Sequence, residues 1–216
     1  MKPDLLAEIV RQAGVSDPRL LAAIRATPRD LFVPPRYAER APFDEPIPIG
    51  HGQPTSQPSL IAQMIDALRL TEEATVLEIG TGYGYQTALL ARLARRVYSV
   101  ERHPDLAAHA RANLAAAGLT GVEVVVGDGT AGLPRYAPFD AVVVSAAAPG
   151  VPAPLAEQLA EDGRLVMPIQ TETGDMVTQF TRRHGHLLRE RVLLPAYFVP
   201  LIGRYTPESP PRDLNG

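Results

Sequence analysis

The sequence contains no cysteine. Disulfides and thiolate-bound metals are thereby excluded, and nothing calls for an oxidising compartment. Long apolar runs are missing as well, since none approaches the ~20 residues needed to cross a bilayer. The opening Met1–Asp4 has neither the basic stretch nor the apolar segment of a secretory signal. A cytoplasmic protein with no membrane partner is the expectation. Surplus positive charge is absent too: 21 Lys and Arg face 24 Asp and Glu, for a formal charge of −3. That balance argues against a nucleic-acid footprint. Lysine is nearly missing, with Lys2 its single instance, so the other cationic chains are arginines. Clustered arginines would indicate phosphate or carboxylate capture, but these are scattered and read as compositional bias. No His-x-x-x-His pair stands in for the missing thiols, so no metal site is expected.

What is present is enough apolar material for a core. Hydrophobic residues make up 45% of 216, which fits one domain. The first part reads as short helices, one starting at Pro3 and ended by Gly14, another starting near Pro18. Prolines then punctuate the chain, so Phe32–Gln53 is expected to be an ordered loop. A helix follows from Pro58, with Leu60, Ile61, Met64, Ile65 and Leu68 on one face. From Ala74 onwards, apolar runs alternate with helical stretches. Val76–Ile79, Val97–Val100, Val122–Val126, Ala141–Val144 and Arg164–Met167 are predicted strands. Tyr85–Ala94, Pro104–Ala117 and Pro154–Ala160 are predicted helices. This alternation predicts an α/β fold with a single doubly wound, mainly parallel sheet. Met176–Thr181 and Leu187–Leu194, joined across His184-Gly185-His186, form a predicted C-terminal antiparallel hairpin. The expected division is residues 1–57 for the N-terminal helices and loop, 58–203 for the sheet domain, and 204–216 for a loose tail.

The stretch Val76–Tyr85 places Gly80, Thr81, Gly82, Tyr83 and Gly84 at a strand-to-helix junction. Glycines there permit a tight turn and close ligand approach, and helix N-terminal amides suit an anionic group. A tight turn that merely packs would read the same way. Two acids add weight: Glu78 precedes the glycines, and Glu101 ends the next strand at about the ~20-residue distance of a ribose-binding carboxylate. Asp128 and Gly129 follow the third strand. The glycine spacing departs from the dinucleotide fingerprint G-x-G-x-x-G and is similar to the nucleotide loop of S-adenosylmethionine (SAM) methyltransferases. That similarity implies a Rossmann-like methyltransferase fold with SAM as cofactor. Glu78 would face the amino acid end of SAM, Glu101 its ribose, and Asp128 the adenine amine.

The segment Pro48-Ile49-Gly50-His51-Gly52-Gln53, followed by Ser56-Gln57-Pro58, narrows this further. It resembles the substrate loop of protein-L-isoaspartate O-methyltransferases. The resemblance extends through Leu31–Pro34, the nucleotide loop, Gly127–Gly129, Gly163–Val166 and Phe198–Leu201, covering most of the chain. It implies methylation of the free carboxylate of an L-isoaspartyl residue in a damaged protein or peptide. Ser56 matches the family's assigned active-site serine, and Thr55 stands among the residues that cover the methionine part of SAM. Ile49, Gly50 and His51 become candidate substrate contacts. Val199-Pro200-Leu201 pairs with an extended substrate backbone or is an ordinary edge segment. The family's Thr-Ile-Ser is replaced by Pro54-Thr55-Ser56, and a small residue by Tyr83. For His51, placement of its backbone between two glycines is favoured over proton transfer. His103 and His109 lie six apart on one helix and so share no face, and His184 and His186 are set aside as solvated.

A carboxylate is already ionised at neutral pH, so methyl transfer to it needs alignment and water exclusion rather than a strong base. Ser56, which lacks a G-x-S-x-G elbow, is expected to hold the carboxylate by a hydrogen bond. Alternatives are a SAM methyltransferase for a small molecule, RNA or a dedicated biosynthetic peptide, and a non-catalytic SAM-binding recognition module. A monomer is the default expectation.

Overall fold

A computed structural model describes residues 3–208. The part of the expected tail from residue 209 onwards lies outside the described residues, as does Lys2. Helices α1 (Pro3–Gln12) and α2 (Pro18–Arg25) open the chain. They are followed by a small antiparallel pair, β1 (Ile47–Gly50) with β2 (Gln53–Thr55), and by α3 (Pro58–Leu68). The alternating region then runs β3 (Thr75–Ile79), α4 (Tyr85–Ala91), β4 (Arg96–Glu101), α5 (Pro104–Ala116), β5 (Val122–Val126), β6 (Phe139–Val144), α6 (Ala153–Glu157) and β7 (Leu159–Thr171). Strands β8 (Gly174–Arg183) and β9 (His186–Ala196) close it.

Seven strands form one sheet in the order β5-β4-β3-β6-β7-β8-β9. The first five are parallel and the last two antiparallel, as the hydrophobic pattern predicts. Covering both faces requires both sides of each strand to be apolar, and Val142, Val143 and Val144 are all fully buried. Alternation sorts them: Val76, Ala141 and Val143 join the core under α1–α4, whereas Leu77, Val142 and Val144 join the core under α6. Leu6, Val10, Leu20 and Ile24 of the N-terminal helices share the first of these cores with the central strands. The strand order reverses between β3 and β6. Such a switch point opens a crevice at the carboxyl ends of the strands.

Three expectations change. Residues 32–53 begin at the end of a 3₁₀ turn, Arg29–Phe32, and contain, besides loop, a second one at Pro35–Arg40 and most of the β1–β2 pair. Prolines obscured that pair, because Pro48 and Pro54 sit opposite each other where no ladder donor is required. The helix expected over residues 154–160 stops at Glu157, and β7 begins at Leu159, pairing with Phe139 before the positive-φ kink at Asp162. The helix after the glycine loop ends at Ala91 rather than Ala94.

Candidate active site

The principal cleft lies at that switch point and comprises about 970 Å³ of space including its open mouth. Its floor is the turn after β3, from Gly80 to Gly84. Gly80 has φ +96°, and a Cβ there would come within 3.3 Å of the Ser145 Cβ, so glycine serves both turn and neighbour. Glu101, at the end of β4, turns back on this loop. One carboxylate oxygen accepts from the Gly82 N–H at 2.9 Å and the other from the His103 N–H at 3.0 Å.

Glu78 is fully buried and does not line the cleft. Strand pairing sets it opposite Ser99, whose hydroxyl donates to it at 2.6 Å, while Thr87 and Gln86 donate from α4. Burial pushes its pKa up to about 7 against the pull of those three donors, with nearby Glu101 adding to the rise. Its carboxylate therefore organises the side chains behind the glycine turn.

The opposite wall is the segment through β1, β2 and Ser56. Ile49, Gln53, Pro54, Thr55 and Ser56 line the cleft. Its anchor is Arg29, which has no exposed surface. The guanidinium donates to the carbonyls of Phe43 and Glu45 at 2.9 Å each, of Ser56 at 3.2 Å and of Ala41 at 3.4 Å. Burial lowers its pKa to about 10, and it lies 5.8 Å from the Tyr85 ring centre. Asp44 joins the segment to α3 by accepting from the Ser59 N–H at 2.8 Å and its hydroxyl at 2.6 Å. This is a helix cap supplied from fifteen residues upstream. At the hairpin tip His51 has φ +51°. Its Nε2 pairs with Asp105 at 2.8 Å, and its ring stacks on His103 with centroids 4.1 Å apart. The tip thus touches the start of α5, across the cleft from β2. His51 holds the Asp105 carboxyl below its ordinary pKa.

A family model described as protein-L-isoaspartate(D-aspartate) O-methyltransferase matches residues 1–206. The protein-L-isoaspartate O-methyltransferase of Methanoculleus marisnigri is 51% identical over 197 residues, covering 91% of this chain and 89% of its own. That of Roseiflexus castenholzii is 48% identical over 198 residues, covering 92% and 90%. A solved protein-L-isoaspartate O-methyltransferase superposes with TM-score 0.83 at 28% identity, covering 94% of this chain and 67% of the other. The chain belongs to the protein-L-isoaspartate(D-aspartate) O-methyltransferase family. A structure of a Plasmodium falciparum protein described as a putative member, in complex with S-adenosyl-L-homocysteine, shares the fold with TM-score 0.81 at 21% identity.

Among the residues singled out from the sequence of this family member, Ile49, Thr55, Ser56, Gly80, Thr81, Gly82, Tyr83, Gly84, Glu101, Gly129, Val199 and Leu201 line one cleft. Four do not. Glu78 lies behind the glycine turn, and Gly50 and His51 form the hairpin tip directed at α5. Asp128 is engaged elsewhere, accepting from Thr130 and from the Arg204 N–H. Tyr83 lines the cleft, yet its ring stacks on His109 with centroids 4.9 Å apart. The rings of His103 and His109 are both stacked, on His51 and Tyr83 respectively. The Val199 carbonyl and Leu201 N–H are already bonded to Ala147, at 2.8 and 2.7 Å, so that edge is internal. Arg29, Gln86, Asp105 and Ser145 were not singled out. For Arg29 no sequence signal exists, because its partners are backbone carbonyls that every residue carries.

Proposed function

We propose that the cleft binds SAM and that the chain transfers its methyl group to the free carboxylate of L-isoaspartyl residues in damaged proteins or peptides, initiating their repair. The observation that carries this reading is the convergence of the Thr55-Ser56 segment and the glycine turn on one cleft, in a member of this family. The residues fit the cofactor: Glu101 offers a carboxylate beside the glycine turn at a strand end, and Gly129 adds a wall without a side chain. Glu78 and Asp128 act one layer out, by shaping the turn and the edge near Arg204. When bound, SAM supplies an electrophilic methyl on a positively charged sulfur. The substrate carboxylate oxygen forms the new C–O bond as the C–S bond breaks, giving a methyl ester and S-adenosylhomocysteine. No proton need move, so the protein has to align and dehydrate the reactants.

Ser56 is assigned to hold the carboxylate. Among the described residues no basic side chain hydrogen-bonds its hydroxyl, which accords with a donor role rather than a nucleophilic one. Ile49, Gly50 and His51 shape the substrate entrance, and Val199–Leu201 frames it opposite. We assign residues 1–57 to substrate handling, 58–203 to the methyltransferase domain and 204–216 to the tail, in a cytoplasmic monomer acting on polypeptides and not on nucleic acid or membranes. No described helix is long and apolar enough to cross a membrane.

The test is transfer of labelled methyl from SAM to an isoaspartyl peptide, with the aspartyl isomer as control. Ser56→Ala should lower kcat/KM by about 30-fold, the worth of a charge-assisted hydrogen bond. Equal labelling of the two isomers would overturn the substrate assignment, and undiminished turnover by the variant would overturn the role of Ser56.

A further inference from the structure

Buried carboxylates orient the hydroxyls around them, and the Glu78 network does so at the edge of the cleft. Above its pKa of about 7 Glu78 is ionised and only accepts. It takes hydrogen bonds from Ser99, Thr87 and the Gln86 amide nitrogen. The Gln86 nitrogen has one further hydrogen, and Ser145 Oγ lies 3.1 Å from it. That nitrogen cannot accept, so Ser145 receives its bond and keeps its own proton for another partner. Among the described residues no protein group accepts that proton, and Ser145 lines the cleft. The polarity is reversed at Thr81. Ser99 spends its proton on Glu78, so in the Thr81–Ser99 contact Thr81 must donate, leaving its lone pairs free.

We propose that the Ser145 hydroxyl is a second donor to the methyl-accepting carboxylate, opposite Ser56; this rests on the function proposed above. A directed donor suits an anion, as the free lone pairs of Thr81 suit a cation. Topology assigns the anion to the substrate rather than to the carboxylate of SAM. Glu101 ends β4 on one side of β3, whereas Ser145 follows β6 on the other. Ser145 is also two residues before Ala147, whose backbone is bonded to Val199 and Leu201. Alternation along β6 places Ser145 on the same face as Ala141 and Val143, the face packed under α3, whose start follows Ser56. Two hydroxyls flanking one carboxylate would leave an oxygen lone pair directed at the methyl group.

The experiment compares wild type, Ser145→Ala and Ser145→Thr in two measurements: steady-state transfer to an isoaspartyl peptide, and SAM affinity by calorimetry. Ser145→Ala should lose about 20-fold in kcat/KM for the peptide, with SAM affinity within about twofold of wild type. Ser145→Thr, which keeps the hydroxyl, should recover to within about threefold. Near-wild-type kcat/KM in Ser145→Ala would overturn the proposal, as would a SAM affinity that falls in step with activity, since the hydroxyl would then serve the cofactor. A threonine variant as slow as the alanine variant would also overturn it. If wild type itself transfers no methyl to the isoaspartyl peptide, the functional reading fails first; an active wild type with an indifferent Ser145→Ala sinks only the second donor.

Discussion

The two walls of the cleft differ in what holds them. The glycine-turn wall stands on a parallel sheet, where every neighbour is a buried strand and position follows from backbone pairing. The Ser56 wall has no such support, since β1 and β2 pair only with each other. Side chains from elsewhere fix it instead: Arg29 from behind, Asp44 onto α3, and His51 onto α5. A wall made of strand ends is rigid because the whole core must yield before it moves. A wall hung on a few side chains can be displaced by removing one of them. The Ser56 wall and the glycine floor are thereby built by different means within one cleft.

Removing Arg29 should break this contrast most severely. Its guanidinium satisfies four backbone carbonyls, one buried and three part-buried, and each orphaned acceptor costs about 1–3 kcal/mol, partly offset by relaxation and hydration. Arg29→Met should destabilise the protein by about 4 kcal/mol and lower Tm by roughly 10 °C, read by denaturant and thermal unfolding. A drop under about 2 °C would mean that the wall is held by something else. The fixed wall should respond to pH instead. The Glu78 pKa rises from 4.5 to about 7 on folding, so its contribution to stability is complete below 4.5 and is lost as pH rises through 7. Urea titrations from pH 4.5 to 8 should therefore show wild type losing about 3 kcal/mol relative to Glu78→Gln. A difference that stays flat with pH would show that this carboxyl is not titrating across that window.

The same contrast explains what could be read from the sequence. Strand positions were legible because Val76–Ile79 and Ala141–Val144 are apolar on both faces, a pattern set by burial alone. Gly80, Gly82 and Glu101 were legible because a turn at a strand end restricts residue type. The β1–β2 pair was not, because Pro48 and Pro54 are poor strand residues wherever a ladder needs their missing donors. Arg29 was hidden more deeply. In the sequence it is one scattered arginine among many, and only the path of the chain brings residues 41–56 around it. Acidity beside the glycines marks Glu78 in the sequence, but its direction depends on alternation at the strand end. That places it among Ser99, Gln86 and Thr87 instead of in the cleft.

The smallest effect should come from the hairpin tip. The His51–Asp105 contact is short but exposed to water, where ion pairs gain little. The His51 ring also keeps its stack on His103 when the carboxylate is gone. Asp105→Asn should therefore leave Tm unchanged. It should raise KM for an isoaspartyl peptide by about twofold at low salt, with the difference vanishing near 1 M NaCl as screening removes the pair from wild type too. A loss of activity as large as that of Ser56→Ala would mean that the tip, and not Arg29, sets the position of the Ser56 wall. The comparison between a wall supported by strands and a wall held by side chains would then need to be redrawn around α5.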